Sequence, residues 1–241
     1  MCGVCGCGDP EVVSVEVHER VLSANERRAN HLRDHFRERG LLAINLMGSP
    51  GAGKTAVLEA TAAGCRGRKL GALAGDLATD HDATRLRAAG IESASITTGS
   101  ACHLDADLVH HALHHFPWTN LDYLFIENVG NLVCPAIYDL GQAANVVALS
   151  VTEGEDKPLK YPVMFKAADL VLITKVDLLP HLPGVRLETI ADALSRVMPS
   201  PLFFPVSART GEGLPRWTAW LEERRHLLRD VATPELARLV P

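Results

Sequence analysis

Residues 41–55 read LLAINLMGSPGAGKT, and this stretch decides the fold of the 241-residue chain. Its second half fits the phosphate-binding pattern G-x-x-x-x-G-K-[ST] at every fixed position. Glycines let the backbone curl so that several N–H groups point at phosphate oxygens, Lys54 reaches the β- and γ-phosphates, and Thr55 offers a hydroxyl to Mg²⁺. The pattern predicts a P-loop nucleoside triphosphate-binding protein. Its predicted loop residues are Gly48, Ser49, Pro50, Gly51, Ala52, Gly53, Lys54 and Thr55.

The regions around this loop alternate between strand-like and helix-like patterns. Short apolar runs, each typical of a buried parallel strand, occupy 41–48, 69–76, 93–99, 122–130, 145–152, 169–177 and 202–208. Amphipathic, helix-like stretches occupy 18–39, 53–64, 80–89, 103–115, 186–198 and 213–229. This alternation predicts an α/β protein with a mostly parallel central sheet flanked by helices, whose site lies at the carboxyl ends of the strands.

Composition narrows the class of protein further. Apolar residues make up 47% of the chain and the net charge is −5, which is typical of a globular protein and gives no reason to expect nucleic acid as a partner. No apolar run reaches the ~18 residues that span a bilayer, and the start does not resemble a signal peptide. We therefore expect a cytoplasmic location, no membrane partner, and cysteines that serve as ligands or packed thiols and not as disulfides.

Two segments indicate which nucleotide is bound. Thr174-Lys175-Val176-Asp177 resembles the N-K-x-D element of GTPases, in which the aspartate accepts guanine N1–H and N2–H and the lysine stem lies over the base. Ser207-Ala208 resembles the start of the S-A-K element, whose backbone N–H binds guanine O6. Together they predict GTP and GDP over ATP. Thr174 departs from the pattern, because a hydroxyl cannot replace both the donor and the acceptor of an amide.

Acidic residues near the predicted strand ends are candidates for Mg²⁺ binding and catalysis. Asp76 and Glu127 each close an apolar run, and Gly130 stands where a backbone N–H meets the γ-phosphate in many GTPases. Asp80 and Asp82 fit a switch loop, or equally the first turn of a helix, where acids complement the helix dipole. The predicted catalytic residues are Lys54, Asp76 and Asp80, and the predicted Mg²⁺ set is Thr55, Asp76 and Glu127.

A second set of candidate ligands follows two other strands. Cys102 and His103 follow the run 93–99, and Cys134 lies four residues after Gly130. Thiolate and imidazole suit Ni²⁺, Zn²⁺ or copper and not Mg²⁺. Three ligands do not close a site, but two copies of the chain across a two-fold axis would supply six. The alternative is an ordinary packed thiol, which is how we interpret Cys65.

Further cysteines and histidines cluster elsewhere. Cys2, Cys5 and Cys7 alternate with glycines, which allow a short segment to fold around one ion without a core. Four histidines, with i, i+4 spacing between pairs, fit either weak metal binding or a solvated helix face: His110, His111, His114 and His115.

Taken together, these pieces resemble the hydrogenase nickel-incorporation GTPases, the hydrogenase maturation factor B family. The resemblance runs over nearly the whole chain to about residue 215. It is carried by GSPGAGKT (48–55), GD (75–76), TTGSACHLD (97–105), FIENVGNLVCP (125–135), SVTEGEDKPLKYPVMFKAADLVLITKVDL (150–178) and SART (207–210).

This resemblance implies a fold, an activity and partners. The fold is that of the SIMIBI GTPases, which are like signal-recognition proteins and the nitrogenase iron protein, with nucleotide-dependent homodimers. The activity is GTP hydrolysis coupled to Ni²⁺ delivery, and the partners are a small zinc-containing nickel chaperone and the hydrogenase large-subunit precursor. Cys102, His103 and Cys134 match an interface site for nickel or zinc, the three N-terminal cysteines match a nickel site, and Asp76 matches an acid associated with Mg²⁺.

The expected organisation has three parts: a flexible metal-binding segment at 1–16, a GTPase domain with an N-terminal helix at 17–230, and a tail at 231–241. The chain lacks the long His-rich insert that some family members use for nickel storage, so delivery is the expected role.

Three alternatives compete with this interpretation. Another metallocentre GTPase, for urease nickel delivery or zinc handling, fits TTGSACH and ENVGNLVCP less well. A P-loop kinase needs an arginine lid, for which only Arg85 and Arg87 are nearby candidates. A structural zinc protein with a vestigial loop would bind no nucleotide.

Overall fold

The computed structural model describes residues 10–76, 80–99 and 101–232, and it contains one seven-stranded sheet. All strand pairs in the sheet are parallel, and the strand order is β3-β2-β4-β1-β5-β6-β7. The strands are β1 (Leu42–Gly48), β2 (Leu70–Asp76), β3 (Glu92–Thr97), β4 (Tyr123–Glu127), β5 (Ala144–Ser150), β6 (Leu170–Thr174) and β7 (Phe203–Pro205). Each predicted strand is present, and the predicted α/β class is confirmed.

Eight α-helices accompany the sheet in the described part of the chain. They are α1 (Pro10–Glu38), α2 (Lys54–Gly64), α3 (His81–Ala88), α4 (Ala106–Leu113), α5 (Lys157–Lys160), α6 (Pro162–Lys166), α7 (Leu187–Val197) and α8 (Leu214–Ala232). Each predicted helix is present, whereas the short α5 and α6 were not predicted. No helix among the described residues is both long and apolar enough to cross a membrane.

The N-terminal helix begins earlier than the sequence suggested. We expected a helix from residue 18 and an irregular segment before it, but α1 starts at Pro10. Proline is favoured at the first helical position because the N–H that it lacks has no partner there. Cys2, Cys5 and Cys7 lie outside the described residues, as do residues 233–241.

Alternating residues of the central strand β1 explain the layered core. Leu42, Ile44 and Leu46 face one apolar cluster, which holds the indole of Trp217 from α8. Ala43, on the other face, packs in a second cluster with Leu32 and Phe36 of α1. Burial of both faces accounts for an apolar strand without the polar alternation of a half-exposed one.

Five of the seven strands, β3 to β7, end earlier than the apolar runs that predicted them, and this places the site. β4 ends at Glu127 and β6 at Thr174, so residues 128–130 and 175–177 leave the sheet as loops. Because all strands are parallel, these loops emerge at the same edge as the loop after β1. The chain passes from one side of the sheet to the other around β1, and ligands of such sheets bind at this switch point.

Candidate nucleotide and metal site

The phosphate-binding loop joins β1 to α2 and depends on two glycines with positive φ. Gly48 has φ +146°, and a Cβ built there would lie 2.4 Å from the Ala148 carbonyl oxygen. Gly53 has φ +92° directly before α2. Side chains rarely adopt these conformations, so glycine is required for this turn from strand to helix. The positive end of α2 therefore faces the loop.

Lys54 places a buried cation at the head of this loop. Its ammonium donates to the carbonyl oxygens of Ser49 at 3.2 Å and Gly48 at 3.4 Å. Burial lowers the pKa of Lys54, while the carboxylates of Glu127 and Asp82 oppose that shift. The lysine borders a cavity of about 490 Å³ between the loop, the end of β2, α3 and the loop after β4. A cation facing this volume suits a polyphosphate.

Thr55 and two carboxylates have the chemistry of a magnesium site. The Thr55 hydroxyl lies 2.8 Å from Glu127 Oε1 and 3.0 Å from Asp82 Oδ1, although it has only one proton to donate. The second oxygen of Glu127 is buried and has no hydrogen-bond partner among the described residues. Mg²⁺ prefers oxygen ligands of this kind, so the residues fit the ion. When bound, Mg²⁺ would neutralise charge on the phosphates.

The second acid beside Thr55 is Asp82, which the predicted Mg²⁺ set did not include, whereas Asp80, predicted as catalytic, lies farther out. Asp80 does not border the cavity; it precedes α3, and its carboxylate lies 3.6 Å from Arg87. The start of the helix therefore turns Asp80 outward and brings Asp82 to Thr55. Asp76 borders the cavity at the end of β2, as expected from its place in the chain.

Burial also changes the protonation of Glu127. Its removal from water raises its pKa to about 7, and the hydrogen bond from Thr55 and the charge of Lys54 offset part of that effect. The metal-free carboxyl group thus takes up a proton near neutral pH, and a bound cation must displace that proton.

The predicted base-reading elements meet at neighbouring strand ends. Ser207 donates a hydrogen bond of 2.7 Å to Asp177 Oδ1, so the two motifs share a contact. Lys175 has φ +60° and its ammonium donates to the carbonyl oxygen of Gly51 at 2.6 Å. The departing residue Thr174 donates to the carbonyl oxygen of Ala52 at 2.6 Å, so it ties β6 to the phosphate loop. Ala208 follows Ser207 in the same loop.

Gly130 brings the loop after β4 against the phosphate loop. A Cβ at this position would lie 2.8–3.0 Å from atoms of Pro50, closer than real Cβ atoms approach. The next residue, Asn131, pairs with Gly48 in an isolated antiparallel bridge. Any displacement of the phosphate loop therefore acts directly on residues 130–131.

Cys102, His103 and Cys134 converge as predicted. Their ligand atoms all lie within 4.8 Å of one another, and they form the only such group of three or more potential ligands in the described residues. The two sulfurs are 3.1 Å apart and both thiols are free, so they are not disulfide-bonded. His103 Nδ1 lies 3.8 Å from the Cys102 sulfur. This donor set suits Ni²⁺ or Zn²⁺ and leaves coordination positions open.

The surroundings hold the imidazole in a form that binds metals. His103 stacks on Tyr138 with ring centroids 3.9 Å apart. Burial lowers the pKa of His103, although the carboxylate of Asp105 opposes this shift. A neutral imidazole has the free lone pair that a metal needs. By contrast, the hydrogen bond with Cys102 raises the pKa of the Cys134 thiol, so this thiol would lose a proton on metal binding.

Asn128 links the metal ligands to the nucleotide side, and sequence reasoning missed it. This residue is 1% exposed, and its Oδ1 accepts from the backbone N–H groups of Leu104 and Val129. Its amide nitrogen donates to Asn45 of β1, which in turn donates to Asn145 of β5. The sequence feature that could have identified Asn128 is its position next to Glu127, at the end of a predicted strand whose following loop meets the phosphate loop.

A second contact joins the two metal-binding loops directly. Asn131 Nδ2 donates to the carbonyl oxygen of Cys102 at 3.1 Å, and its Oδ1 accepts from Val133 N. Cys102 and Cys134 thus share a support that is adjacent to Gly130. The sulfur atoms and the phosphate loop are connected through short hydrogen-bonded steps.

The fold and this pair of sites define a P-loop GTPase. Residues 42–203 match the family model of the CobW/HypB/UreG nucleotide-binding domain. A signal recognition particle 54 kDa protein from Aeropyrum pernix, solved with GDP, has the same fold with a TM-score of 0.51 at 14% identity, over 79% of this chain and 49% of that one.

More similar proteins narrow the family. The hydrogenase maturation factor HypB of Azotobacter vinelandii is 50% identical over 88% of this chain and 70% of its own length. A hydrogenase/urease maturation factor HypB of Helicobacter hepaticus is 41% identical over 88% of both. The crystal structure of HypB from Helicobacter pylori in complex with nickel has a TM-score of 0.80 and 38% identity, over 88% of this chain and 98% of that one. The chain belongs to the hydrogenase maturation factor HypB family of nickel-related GTPases.

Proposed function

We propose that this GTPase binds Ni²⁺ at Cys102, His103 and Cys134 and releases it to the hydrogenase large-subunit precursor when GTP is hydrolysed. The observation that carries the proposal is the convergence of these three ligand atoms within 4.8 Å, at loops that also contact the phosphate loop. A nickel complex of a structurally similar HypB supports the choice of ion. Nickel is the cargo in this scheme, and GTP with Mg²⁺ supplies the control.

The coupling has a physical route. Arrival or loss of the γ-phosphate changes the contacts that Gly130 makes beside Pro50. Asn131 follows immediately and holds the Cys102 carbonyl, and Asn128 holds Leu104 two residues beyond Cys102. A shift of this loop changes the distance between the two sulfurs, and metal affinity depends strongly on that geometry. Segments ordered by γ-phosphate and released on hydrolysis are a known switching device.

We further propose that the site is completed in a homodimer that forms with GTP bound. Cys102 is exposed, and one chain contributes three ligands. A second copy across a two-fold axis brings the number of candidate ligands to six, enough for a four-coordinate site. In this scheme Zn²⁺ competes for the same thiolates, because affinity alone does not separate these ions.

Residues 2–7, which lie outside the described residues, complete the proposal as a first holder of nickel. The incoming donor is a small zinc-containing nickel chaperone, and the acceptor is the hydrogenase precursor. The name of the Helicobacter hepaticus relative favours urease maturation as a second destination. Transfer of Ni²⁺ from the loaded protein to each purified apo-enzyme precursor distinguishes the two.

A metal titration with tag-free protein tests the coupling. One variant carries Cys2→Ser, Cys5→Ser and Cys7→Ser, so that the proposed switching site alone remains; a second adds Cys102→Ser and Cys134→Ser. Each is titrated with Ni²⁺ in the presence of GDP and of a non-hydrolysable GTP analogue, and its mass is measured by light scattering. We expect a nucleotide-dependent affinity, and a dimer with the analogue, in the first variant, and loss of the nucleotide-dependent component in the second. Equal Ni²⁺ affinities in both nucleotide states of the first variant contradict the proposal, and Cys65→Ala is the matched control.

A further inference from the structure

Helices α1 and α4 lie side by side, and residues that come later in α1 contact residues that come later in α4. The N–H of Ala106 donates to Asn25 Oδ1 at 2.8 Å, which fixes the start of α4 against α1. One turn later Arg28 pairs with Asp107 at 2.6 Å. The helices therefore run in the same direction, and each further turn brings the next residues of both into register.

The next two turns place four histidines together. His31 and His35 are four residues apart on α1, and His110 and His114 have the same spacing on α4. The rings of His31 and His110 lie 5.9 Å apart across the helix pair. Within each helix the ring centroids are 4.4 Å apart on α1 and 4.6 Å apart on α4. All four side chains border one cavity of about 260 Å³, whose other lining residues are Leu32, Leu113 and Trp118.

We propose that His31, His35, His110 and His114 form a separate binding site for a divalent ion of the nickel and zinc class. Two histidines at i and i+4 lie on one helical face and can chelate one ion. Imidazole nitrogen suits Ni²⁺, Zn²⁺ and Cu²⁺, whereas Mg²⁺ prefers oxygen. Four imidazoles from two helices meet the number of ligands that a closed tetrahedral site requires.

The geometry of the pair on α1 favours this assignment. The Nε2 atoms of His31 and His35 lie 3.2 Å apart, a separation that suits one N–H···N hydrogen bond and equally two nitrogen ligands of one ion. No three of the four histidines place their ligand atoms within 4.8 Å of one another as they stand, so a common ion requires the half-buried His110 and the exposed His114 side chains to change rotamer. Arg28, whose charge acts on His110, is already paired with Asp107, so its charge is offset.

The alternative is a solvated helix face that is merely rich in histidine. That account does not explain why the four residues come from two helices and border one cavity. His111 and His115 are equally close in the sequence, but they do not line it. Burial lowers the pKa of His110, with the neighbouring Arg28 and histidine rings acting in the same direction, so its neutral form is available.

The proposed histidine site would join α1 and α4, which follow different cysteine-containing segments of the chain. α1 follows the N-terminal cysteines in the chain, and α4 follows Cys102 and His103. His110 lies about 6 Å along α4 from its start, and His114 lies about 12 Å along, directly after the helix ends. A bound ion would fasten α1 to the GTPase core without occupying the cysteine site, so this inference does not depend on nickel delivery.

The test uses the full, untagged chain with Cys2, Cys5, Cys7, Cys102 and Cys134 changed to Ser, so that the thiol sites cannot contribute. Calorimetric titration with Ni²⁺ and with Zn²⁺, in the presence of excess Mg²⁺ to occupy the oxygen site at Thr55 and Glu127, is expected to give one ion per chain. In this background His31→Gln with His110→Gln should weaken binding at least tenfold, whereas His111→Gln with His115→Gln should leave it unchanged. Circular dichroism checks that each variant is folded.

Hydrogen exchange supplies the second measurement. Ni²⁺ should slow amide exchange in both α1 and α4 in the protein with five cysteines replaced, and the His31→Gln, His110→Gln variant should lose that protection. Absence of binding in the protein with five cysteines replaced overturns the inference. Equal weakening by the His111→Gln, His115→Gln pair also overturns it, because it would indicate diffuse binding to a histidine-rich surface. Since the thiol sites are absent from every sample, neither outcome bears on the nucleotide-coupled site.

Discussion

The phosphate loop and the cysteine site lie at the same edge of the sheet but are built in opposite ways. Lys54 and Thr55 are 8% and 6% exposed and belong to the first turn of a helix that packs on the sheet. Cys102 is exposed, and both cysteines stand on loops whose polar groups are held by a few amide side chains. Burial among regular elements fixes the first site, whereas the second depends on contacts that can be exchanged.

This difference fits the role that we propose for each site. Cores are close-packed and do not deform gradually, so the phosphate loop senses the nucleotide through contacts at its surface, such as Gly130 on Pro50. The loops that carry the thiols have fewer constraints and can take a second arrangement at small cost. A rigid sensor beside a deformable metal site is the arrangement that nucleotide-controlled metal release needs.

Removing the rigid site's charge should have the largest effect. Lys54→Ala deletes the buried ammonium that faces the phosphates, and we expect GTP turnover to fall by about 100-fold or more, as for other preorganised charge-stabilising groups. Phosphate release under saturating GTP measures this loss. Lys166→Ala, which removes an exposed lysine outside the cavity, is the matched control. Turnover that survives unchanged in the Lys54 variant would contradict the P-loop assignment.

The deformable site should respond to loss of one thiol. With the N-terminal cysteines already replaced, Cys134→Ser should weaken Ni²⁺ binding by about 100-fold, since losing a ligand costs at least as much as losing a group that orients one. Competition with a chromophoric chelator measures the affinity. Cys65→Ala removes a buried thiol with no ligand neighbours and should leave the affinity unchanged. Similar losses in both variants would mean that the thiols act on the fold and not on the ion.

Lowering the pH should weaken Mg²⁺ binding at the nucleotide site, because Glu127 takes up a proton near pH 7. Its folded-state pKa of about 7 lies above the ordinary value of 4.5, so the neutral carboxyl group favours the folded, metal-free protein. This contribution to the free energy of unfolding is complete below pH 4.5 and is lost as the pH rises through 7. Mg²⁺ must displace that proton, so its apparent affinity should fall by up to about tenfold per pH unit below 7 and level off above. Mg²⁺ titration with a fluorescent GTP analogue from pH 5.5 to 8.5 measures this. Glu127→Gln should bind Mg²⁺ more weakly at pH 8 and remove the slope; an unchanged slope would assign the titration to another group.

The link between the sites rests on Asn128, and its loss should equalise the nucleotide states. Asn128→Ala leaves the N–H groups of Leu104 and Val129 without their acceptor, so the Cys102 loop is no longer tied to the end of β4. Coupling between sites typically amounts to about 5- to 150-fold in affinity, and we expect the ratio of Ni²⁺ affinities with GDP and with a GTP analogue to approach one. Asn145→Ala, at the far end of the same amide chain, is the control and should keep most of the ratio. A retained ratio in the Asn128 variant would place the coupling in Asn131 or elsewhere.

Most of the fold was predictable because its signals are local. Apolar runs and glycine-rich turns predicted all seven strands, and a parallel sheet then placed their ends together. The start of α1 was predicted wrongly, at residue 18 and not at Pro10, because residues 10–17 show no clear helical spacing of apolar residues. The same limit explains Asp80: whether an acid caps a helix or faces a cavity depends on one turn of backbone that the sequence does not define.

The candidate site was predictable as a set of ligands but not as a network. Cys102, His103 and Cys134 were identified by residue type after strand ends. Asn128 and Asn45 were missed because a single asparagine has many ordinary uses and its partners are 24 and 83 residues away. The stretch EGEDKPLKYP, residues 153–162, also had no physical explanation in the sequence alone. In the structure Glu153 accepts from Ser150 N in a capping box after β5, and its second oxygen lies 3.5 Å from Lys157.

The smallest expected effect concerns the predicted guanine-binding residues Asp177 and Ser207, which follow β6 and β7 but lie outside the sheet. Ser207 donates a hydrogen bond of 2.7 Å to Asp177 Oδ1 and so orients this carboxylate, which lies in the short 3₁₀ helix Val176–His181 after β6. A single hydrogen bond of this kind contributes about 1 kcal/mol, so Ser207→Ala should weaken GDP binding by about fivefold and leave the weak ATP binding unchanged. Ser195→Ala, whose hydroxyl bonds only to its own helix, is the matched control. Calorimetry with GDP and ATP measures both affinities. Equal loss for the two nucleotides would show that Ser207 supports the loop as a whole, whereas loss for GDP alone places Asp177 at the guanine edge.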